Sequence, residues 1–370
     1  MKIAMLGHKV MPSRLGGVEV VVSELATRMA ALGHDVIVYN RSSGTSTPIT
    51  EYNGVRIKTV PTIKVKGLAA ASSSFFATQA ALNDKPDIIH FHAEGPCAMM
   101  GMASQAGIGR IATIHGLDWQ RAKWGNFASR YIKYGEKAAV KHADEIIVLS
   151  KNVQSYFDET YGRDTVFISN GIDKKKHAEA DLIRNKYGLE KGSFFLFVGR
   201  IVPEKGLHYL INAFRQLETD KRLVVAGGSS DSLEYFEAMK QLAKSDNRII
   251  FTGFAEGRFL EELFSNAYAY VLPSDIEGMP MSLLEAMAFG NCCVVSNIPE
   301  NSGVIGSCGL QFEKGSETSL KDALVKLETD PSLVNLLRRE SASHVLAAYN
   351  WDDVVNKTLE LYERVLKEKI

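Results

Sequence analysis

Short apolar runs alternate with amphipathic segments along most of the chain. The runs are largely apolar rather than alternating, which predicts strands that are buried on both faces. They are Ile3–Leu6, Val36–Tyr39, Ile88–Phe91, Ile111–Ile114, Ile146–Leu149, Val166–Ile168, Phe194–Val198, Arg222–Ala226, Ile249–Thr252, Ala269–Leu272 and Cys293–Val295. Between them apolar residues recur every three or four positions, as they do from Val18 to Leu32 and from Leu207 to Phe214, which predicts helices. This alternation indicates an α/β fold with parallel sheets.

The strand series divides into two sets on either side of a charged stretch. We therefore predict two doubly wound domains, residues 1–170 and 193–350, with residues 171–192 as the linker between them. Sheets of this kind bind ligands outside the carboxyl ends of their strands, so the residues that follow each strand are the candidates for chemistry. The last segment, 351–370, has apolar residues at helical spacing and no strand after it, which predicts a closing helix.

Composition narrows the class of protein. The chain of 370 residues carries 43 basic and 43 acidic side chains, so its formal charge is zero, and no nucleic-acid partner is expected because such binders need a basic excess. The four scattered cysteines do not make a disulfide scaffold. The N-terminus lacks the pattern of a signal peptide, and no apolar run approaches the roughly 18 residues of a membrane span. We expect a cytoplasmic location.

Two loops that follow predicted strands carry candidate binding groups. The first ends in Gly16 and Gly17 before a helix, where free backbone N–H groups and the helix dipole suit a phosphate or a sugar hydroxyl. The second places Arg200 and Lys205 beside a helix start, and two cations there suit a diphosphate. An ordinary strand-to-helix turn and surface charge near a helix cap are the alternative interpretations.

A third loop carries two carboxylates eight residues apart, Glu277 before a predicted helix and Glu285 within it. At one binding site such a pair can hold different hydroxyls of one ligand, and the helix N-terminus between them can receive a phosphate. Glu285 is flanked by Leu284 and Ala286, and burying it without a partner would be costly. This favours a functional interpretation of Glu285 over a position on the solvent face.

Several motifs in fixed order resemble one enzyme family. The E-x7-E spacing, together with Phe-Val-Gly-Arg-Ile-Val-Pro-Glu-Lys-Gly over 197–206, resembles the retaining glycosyltransferases of family GT4, which have the GT-B fold. Further matching pieces are Gly16-Gly17, His115-Gly116, Ser169-Asn-Gly-Ile-Asp173, Thr252-Gly-Phe254 and Pro273-Ser274. The resemblance covers nearly the whole chain. It implies two Rossmann-like domains facing across a cleft, with the acceptor on the first, the nucleotide sugar on the second, and helix 351–370 crossing back onto the first.

The resemblance also implies roles for individual residues. Glu277 matches the carboxylate beside the transferred sugar, His115 matches a residue often placed beside that sugar, and Glu285 matches the ribose ligand. Arg200 and Lys205 match the pair that neutralises the donor diphosphate. The full donor-binding set is Gly16, Gly17, Arg200, Lys205, Gly253, Phe254, Glu277, Gly278, Met279, Met281 and Glu285. This chain departs from many relatives at Pro280, which replaces a glycine and offers no N–H to the donor.

The predicted activity is the retaining transfer of a sugar from a nucleoside diphosphate sugar, with UDP-sugar favoured, to a hydroxyl of a glycan or lipid-linked acceptor in surface polysaccharide biosynthesis. Arg200, Lys205 and a helix dipole stand in for a metal, so neither a metal nor a cofactor is expected. Three alternatives remain: a sugar-nucleotide epimerase of the same fold, a catalytically inactive sugar-nucleotide sensor, and a metal-dependent hydrolase that uses His90, His92 and His115.

A basic and aromatic segment suggests a further partner. Residues 110–151 carry eight basic and four acidic side chains in a neutral protein. Basic residues interleaved with aromatic ones suit an anionic membrane surface or a lipid-linked pyrophosphate, and predict a peripheral position on the inner face of the cell membrane. The alternative is a half-buried helix with a solvated face. The residues concerned are Arg110, Trp119, Arg121, Lys123, Trp124, Phe127, Arg130, Tyr131, Lys133, Tyr134, Lys137, Lys141 and Lys151.

Overall fold

The chain folds as two compact units. The computed structural model describes residues 1–14, 16–42, 48–63, 65, 68–104, 107–120, 125–228 and 232–369. One unit comprises Met1–Gly171 together with Trp351–Ile370, and the other comprises Ile172–Asn350. Of the residues singled out above, Arg121, Lys123 and Trp124 lie outside the described residues.

The first unit contains a mostly parallel sheet. Its strands are β1 (Lys2–Leu6), β2 (Asp35–Arg41), β3 (Glu51–Tyr52), β4 (Val55–Val60), β5 (Ile88–His92), β6 (Gly109–Ile114), β7 (Glu145–Val148) and β8 (Val166–Phe167). In the described residues they lie in the order β3-β4-β2-β1-β5-β6-β7-β8, and only β3 is antiparallel to its neighbour. The chain reverses its direction of winding between β1 and β5, so this is the point where such a sheet binds ligands.

Helices cover this sheet on both faces. They are α1 (Gly17–Ala31), α2 (Ala69–Asn83), α3 (Glu94–Cys97), α4 (Asn126–His142) and α5 (Lys151–Tyr161), with 3₁₀ turns at Met100–Ala103 and Asp118–Gln120. The apolar stripe predicted for the first helix is present, because Val21, Val22, Leu25 and Met29 of α1 are buried. Strands β1 and β5 are almost fully buried, as continuous apolar runs require.

The second unit contains a parallel sheet whose strand order is that of the Rossmann fold. Its strands are β9 (Phe194–Val198), β10 (Arg222–Ala226), β11 (Ile249–Gly253), β12 (Ala269–Leu272), β13 (Cys292–Ser296) and β14 (Leu310–Phe312). The described strands run β11-β10-β9-β12-β13-β14, which is the 3-2-1-4-5-6 order of a doubly wound sheet. The switch point therefore lies between β9 and β12, where the loops at 199–206 and 273–280 begin.

Alternate residues of β9 enter the cores on opposite faces of this sheet. Phe194 and Leu196 pack in one core, and Phe195 and Phe197 pack in the other. The covering helices are α6 (Leu182–Tyr187), α7 (Leu207–Arg215), α8 (Leu233–Ala243), α9 (Gly257–Asn266), α10 (Met281–Ala288), α11 (Pro299–Ile305), α12 (Glu317–Thr329) and α13 (Pro331–Ala348). The last helix, α14 (Trp351–Lys367), belongs to the first unit, where Tyr362 bonds to His90.

The predicted α/β class with two doubly wound sheets is confirmed. All eleven predicted strands are found, with ends shifted by at most two residues. The pattern missed β3, β4 and β14, which are short or alternate exposed and buried residues. Residues 172–192, interpreted from their charge as a linker, pack within the second unit, where Ala178, Ala180, Ile183 and Leu189 are buried. None of the helices in the described ranges has the length and hydropathy of a membrane span.

Candidate active site

The switch point of the second sheet brings two predicted loops into contact. The turn Pro203–Lys205 follows β9 and ends at Gly206, whose φ is +66°. A Cβ at Gly206 would overlap the main-chain carbonyl of Pro273 at the end of β12, so glycine is required for this approach. The Asp275 N–H then donates to the Glu204 carbonyl at 2.9 Å and links the two loops.

This approach places Lys205 against Glu277. The Lys205 Nζ lies 2.5 Å from Glu277 Oε1, and the side chains are only 14% and 8% exposed. Ser274 Oγ donates to the same oxygen at 2.6 Å, and Ser274 is fully buried. The sequence assigned these two charges to different parts of a donor and did not predict that they touch. Ser274 was likewise not predicted as a site residue, although Pro273-Ser274 is one of the pieces that resemble the family.

Arg200 is a second cation in the loop that carries Lys205. It follows β9 and is partly buried, and within the described part of the chain it makes no hydrogen bond or ion pair. Within those residues, no acceptor occupies the guanidinium donors, which suit a ligand. Both carboxylate oxygens of Glu204, in the same loop, are buried without a hydrogen-bond partner among the described residues. The sequence analysis missed Glu204. The feature that could have indicated it is its position between the two cations of this loop.

Helix α10 presents its N-terminus in the second of these loops. The Pro280 carbonyl accepts the N–H groups of Leu283 and Leu284, at 3.0 and 3.2 Å. The N–H groups of Met281 and Ser282 have no intrahelical acceptor, because they precede the first full turn. Gly278 and Met279 lie in the loop just before them. This end of α10 therefore carries free donors and a positive dipole that suit an anionic group.

The remaining predicted donor residues of this unit lie at two places. Glu285 is in the second turn of α10 and is 13% exposed, with Lys175 Nζ 4.0 Å from its carboxylate. Sequence reasoning missed Lys175, because it belongs to the stretch interpreted as a linker. Gly253 ends β11, and the ring of Phe254 beyond it is 51% exposed, so an aromatic face is available for stacking.

The switch point of the first sheet carries a buried histidine that the sequence analysis passed over. Asn40 exchanges two hydrogen bonds with the backbone of Met11, which fixes its amide orientation. His8 Nε2 lies 2.8 Å from Asn40 Oδ1 and must donate to it, since that oxygen only accepts. His8 Nδ1 is left without a donor in the described residues, and burial lowers the pKa of His8 to about 4. His8 therefore offers a neutral acceptor beside the Gly16 loop.

Three further histidines lie on β5 and just after β6. His115, 8% exposed, has its Nε2 3.2 Å from Nδ1 of His92. Both ring nitrogens of His90 are taken, by Tyr362 and Thr113 at 2.6 Å each. Burial lowers the pKa of His90 to about 3 and that of His92 well below its usual value, so both are neutral at pH 7. In the ranges that the structure describes, no group of three or more His, Cys, Asp and Glu side chains is placed to hold a metal.

The predicted first-unit loop is found where expected. Gly16 is the N-cap of α1 and Gly17 is its first residue, and Leu15, directly before them, lies outside the described residues. Glu19 in the first turn of α1 accepts the Lys9 N–H at 3.0 Å and ties the loop to the helix. Each unit thus holds its own set of site residues at the carboxyl edge of its sheet.

Comparison with known families decides the class of protein. Residues 15–176 match the model of Glycosyltransferase Family 4, and residues 179–344 match the model of Glycosyl transferases group 1. The two matches together span all but the ends of the chain. The chain belongs to the group 1 glycosyltransferases. The family resemblance stated from the motifs is therefore confirmed, and so is the assignment to an enzyme class.

Individual relatives agree with this assignment. The glycosyltransferase is 27% identical to UDP-Gal:alpha-D-GlcNAc-diphosphoundecaprenol alpha-1,3-galactosyltransferase of Escherichia coli, over 89% of this chain and 88% of the relative. The structure of sucrose-phosphate synthase from Thermosynechococcus elongatus superposes with a TM-score of 0.85 at 22% identity, covering 99% of both chains. Anabaena HepE in complex with UDP-glucose superposes with a TM-score of 0.82 at 17% identity, over 98% of this chain and 100% of HepE. These likenesses confirm the GT-B fold class for the glycosyltransferase.

Proposed function

We propose that this glycosyltransferase moves a sugar from a nucleoside diphosphate sugar, a UDP-sugar by preference, to a hydroxyl group with retention of anomeric configuration. The observation that carries the proposal is the cluster of Lys205, Glu277 and Ser274 at the switch point, with Arg200 in the same loop. A departing diphosphate needs cations and N–H donors, and this edge of the sheet offers both. The preference for UDP is supported by HepE, whose structure holds UDP-glucose.

In the proposed reaction the bond between the anomeric carbon and the diphosphate oxygen breaks. The charge that develops on the diphosphate is met by Arg200, Lys205 and the free N–H groups at the start of α10. The acceptor oxygen bonds to the same face of the sugar, and its proton passes to the departing phosphate oxygen. Glu277 and His115 orient the sugar hydroxyls. No metal or cofactor takes part in these steps, because the cationic side chains supply the positive charge.

The decisive experiment measures nucleoside diphosphate release. A thermal-shift panel of UDP-, ADP-, GDP- and TDP-sugars selects the donor, and product analysis then identifies the new glycosidic bond and its configuration. A free, altered nucleotide sugar as the sole product would indicate the epimerase, binding without turnover would indicate the sensor, and loss of activity with a chelator would indicate the hydrolase. An inverted linkage would overturn the retaining assignment.

Glu285→Ala is expected to weaken binding of the bare nucleoside diphosphate roughly 10- to 100-fold. The carboxylate is proposed to accept ribose hydroxyls, and a hydrogen bond to a charged group contributes about 1.5–3 kcal/mol. Calorimetry with the nucleoside diphosphate of the selected donor measures the effect. Glu261→Ala, an exposed carboxylate on α9, serves as the matched control. Unchanged affinity in Glu285→Ala would remove the ribose assignment.

The acceptor is proposed to be a glycan or a lipid-linked sugar of surface polysaccharide synthesis. The Escherichia coli relative acts, by its name, on a sugar joined to diphosphoundecaprenol, which supports a lipid-linked acceptor. An enzyme that meets such an acceptor works at a membrane surface. We therefore extend the proposal to a cytoplasmic protein that docks on the inner face of the cell membrane.

Helix α4 carries the surface that would dock. Phe127 and Tyr134 are 78% and 61% exposed, and they form one stripe with exposed basic side chains at three- and four-residue spacing. The stripe consists of Phe127, Arg130, Tyr134, Lys137 and Lys141. Other members of the predicted basic segment are engaged elsewhere: Arg110 pairs with Asp144 at 2.8 Å, and Lys133 lies over the Trp119 ring at 3.8 Å. The stripe suits anionic lipid headgroups, with the two aromatic rings at the interface.

Replacing Arg130, Lys137 and Lys141 together by glutamine is expected to weaken binding to phosphatidylglycerol vesicles roughly 100-fold. Each basic side chain near an anionic surface contributes about 1 kcal/mol. Vesicle co-sedimentation at low salt measures the effect, with phosphatidylcholine vesicles as the uncharged comparison. The control variant replaces three exposed lysines of the second unit, Lys244, Lys314 and Lys326. Equal binding by the two triple variants would contradict docking through α4.

A further inference from the structure

Two buried glutamates that the proposed reaction does not use meet in the first unit. Glu94 begins α3 directly after β5, Glu136 lies in α4, and neither has exposed surface. Gly135 permits this meeting, since a Cβ there would overlap the main-chain carbonyl of Glu94. The two carboxyl groups accept hydrogen bonds from consecutive residues, Glu94 from the Asp118 N–H and Glu136 from the Trp119 Nε1–H.

Glu136 is the acceptor at the centre of this cluster. Its oxygens receive the Trp119 Nε1–H at 3.0 Å, the Tyr156 hydroxyl at 2.9 Å and the Tyr161 hydroxyl. Neither glutamate forms an ion pair with a cation of the described residues, and Lys133 lies over the Trp119 ring instead. Three donors directed at one carboxyl group are best satisfied by an ionised carboxylate.

Glu94 is arranged as the protonated partner. Its Oε2 accepts the Asp118 N–H at 2.9 Å, whereas its Oε1 is buried and receives no hydrogen bond within the described part of the chain. Burial, and then repulsion from Asp118 and Glu136, raises the pKa of Glu94 well above its usual value. A proton on Oε1 can be donated to Glu136, which satisfies both carboxyl groups without a cation from the described residues. Among the described residues, the titratable or charged groups around this pair of glutamates are Cys97, Asp118, Tyr131, Lys133, Tyr156 and Tyr161.

We propose that Glu94 and Glu136 form a carboxyl–carboxylate pair whose hydrogen bonds position the segment 115–120 for sugar transfer. Glu94 holds the main chain of this segment at Asp118, and Glu136 holds the Trp119 side chain. The segment begins with His115, so the inference rests on the proposed function of that residue. The pair also connects the segment to α4, which carries the proposed docking stripe. Both glutamates are positioning residues, because neither is assigned a contact with the donor.

Hydrogen exchange tests the pair without any substrate. In Glu94→Leu the amides of 115–120 are expected to exchange roughly tenfold faster, because the bond to Asp118 is lost. Glu94→Gln keeps a carbonyl oxygen for Asp118 and an N–H for Glu136, so it is expected to restore the protection. Glu262→Gln, a buried carboxylate of the second unit that accepts N–H groups of α6, is the matched control and should leave 115–120 unchanged.

Glu94→Gln and Glu136→Gln are expected to differ in the protection of 115–120 from exchange. Glu94→Gln mimics the protonated partner and keeps the network intact. Glu136→Gln replaces an acceptor of three donors by an amide with a single acceptor oxygen, so 115–120 should lose protection. Similar behaviour of both variants would overturn the assignment of the proton to Glu94. If Glu94→Leu does not fold, Trp119→Phe removes the Nε1–H donor together with part of the ring, keeps Glu94, and should still raise exchange in this segment.

The pH dependence of hydrogen exchange in 115–120 tests the protonation of Glu94 independently. Because the pKa of Glu94 is raised in the folded protein, its contribution to stability is complete below the ordinary glutamate pKa and is lost as the pH rises through the raised value. Protection of 115–120, corrected for intrinsic exchange, should therefore fall with rising pH in the wild type and stay flatter in Glu94→Gln. If protection falls with pH in the same way in the wild type and in Glu94→Gln, the proposed proton on Glu94 is wrong.

Measurements of kcat and of nucleoside diphosphate affinity distinguish a positioning role of Glu94 from a purely structural one. Glu94→Leu is expected to lower kcat while the affinity for the nucleoside diphosphate, held in the second unit, stays constant; Glu94→Gln should recover kcat. A fall in both quantities, with no recovery in Glu94→Gln, would make the pair merely structural. If the wild type transfers no sugar at all, the proposed function fails, whereas the exchange measurements still decide whether the pair holds the segment.

Discussion

Lys205→Ala and Arg200→Ala are each expected to lower kcat/KM for the donor about 30- to 1,000-fold, the range of about 2–4 kcal/mol that a lost electrostatic donor costs. Lys205 is the more sensitive of the two. Its side chain is 14% exposed and already held by Glu277, so we expect it to meet the proposed diphosphate with little reorganisation. In such a partly desolvated site a charge acts more strongly than it does in water.

The assay is nucleoside diphosphate release at saturating acceptor, with Lys174→Ala as the control. Lys174 is exposed, so its loss removes the same charge without touching the switch point. Lys205→Arg adds a geometric test, because a guanidinium cannot replace a compact ammonium in a 2.5 Å contact. Near-normal turnover in both alanine variants would remove the diphosphate assignment and with it the metal-free mechanism.

Removal of Lys205 also has a structural consequence that must be measured separately. Glu277 keeps the Ser274 hydroxyl as a partner but loses its cation, and a buried charge left unpaired is destabilising. The double variant Lys205→Ala, Glu277→Gln relieves this cost. It should unfold at a higher temperature than Lys205→Ala while remaining inactive, which separates loss of chemistry from loss of folding.

The strand pattern led to the candidate site because ligands in such folds bind outside the carboxyl ends of strands. Arg200, Lys205 and Glu277 were proposed in this way, since apolar runs identify buried strands from local sequence alone. The strand pattern could not predict the contact between Lys205 and Glu277. It joins two residues 72 positions apart in sequence, and it depends on β9 and β12 being neighbours and on the close approach that Gly206 allows.

Charge was a weaker guide than hydrophobicity. The stretch 171–192 was interpreted as a linker because it is charged, yet its few apolar residues pack into the second unit. In the basic segment, Trp119 and Lys133 were assigned to a surface, whereas Trp119 is half-buried and bonded to Glu136. Sequence alone shows that these residues share a helix or a turn. It does not show which face of the helix packs, because that depends on the neighbouring elements.

Glu277→Gln is expected to separate donor binding from turnover. In the free enzyme Glu277 competes with a diphosphate for Lys205, so its neutralisation should leave the affinity for the nucleoside diphosphate unchanged or raise it. At the same time kcat should fall roughly 100-fold, about 2.7 kcal/mol, because the carboxylate proposed to orient the sugar no longer carries charge. Calorimetry and steady-state kinetics measure the two quantities independently.

Asp275→Asn provides the matched control for this change. Asp275 lies two residues earlier in the same loop and accepts the Tyr209 hydroxyl at 3.3 Å, so the substitution removes the same charge at nearly the same place. If the effect of Glu277→Gln came from the net charge of the loop, Asp275→Asn would reproduce it. Because Glu277 contacts both Lys205 and Ser274, whereas the hydrogen bond of Asp275 is to Tyr209, we expect the control to retain most of its turnover. Weaker binding together with normal kcat in Glu277→Gln would instead assign Glu277 to the nucleotide and leave the sugar without its carboxylate.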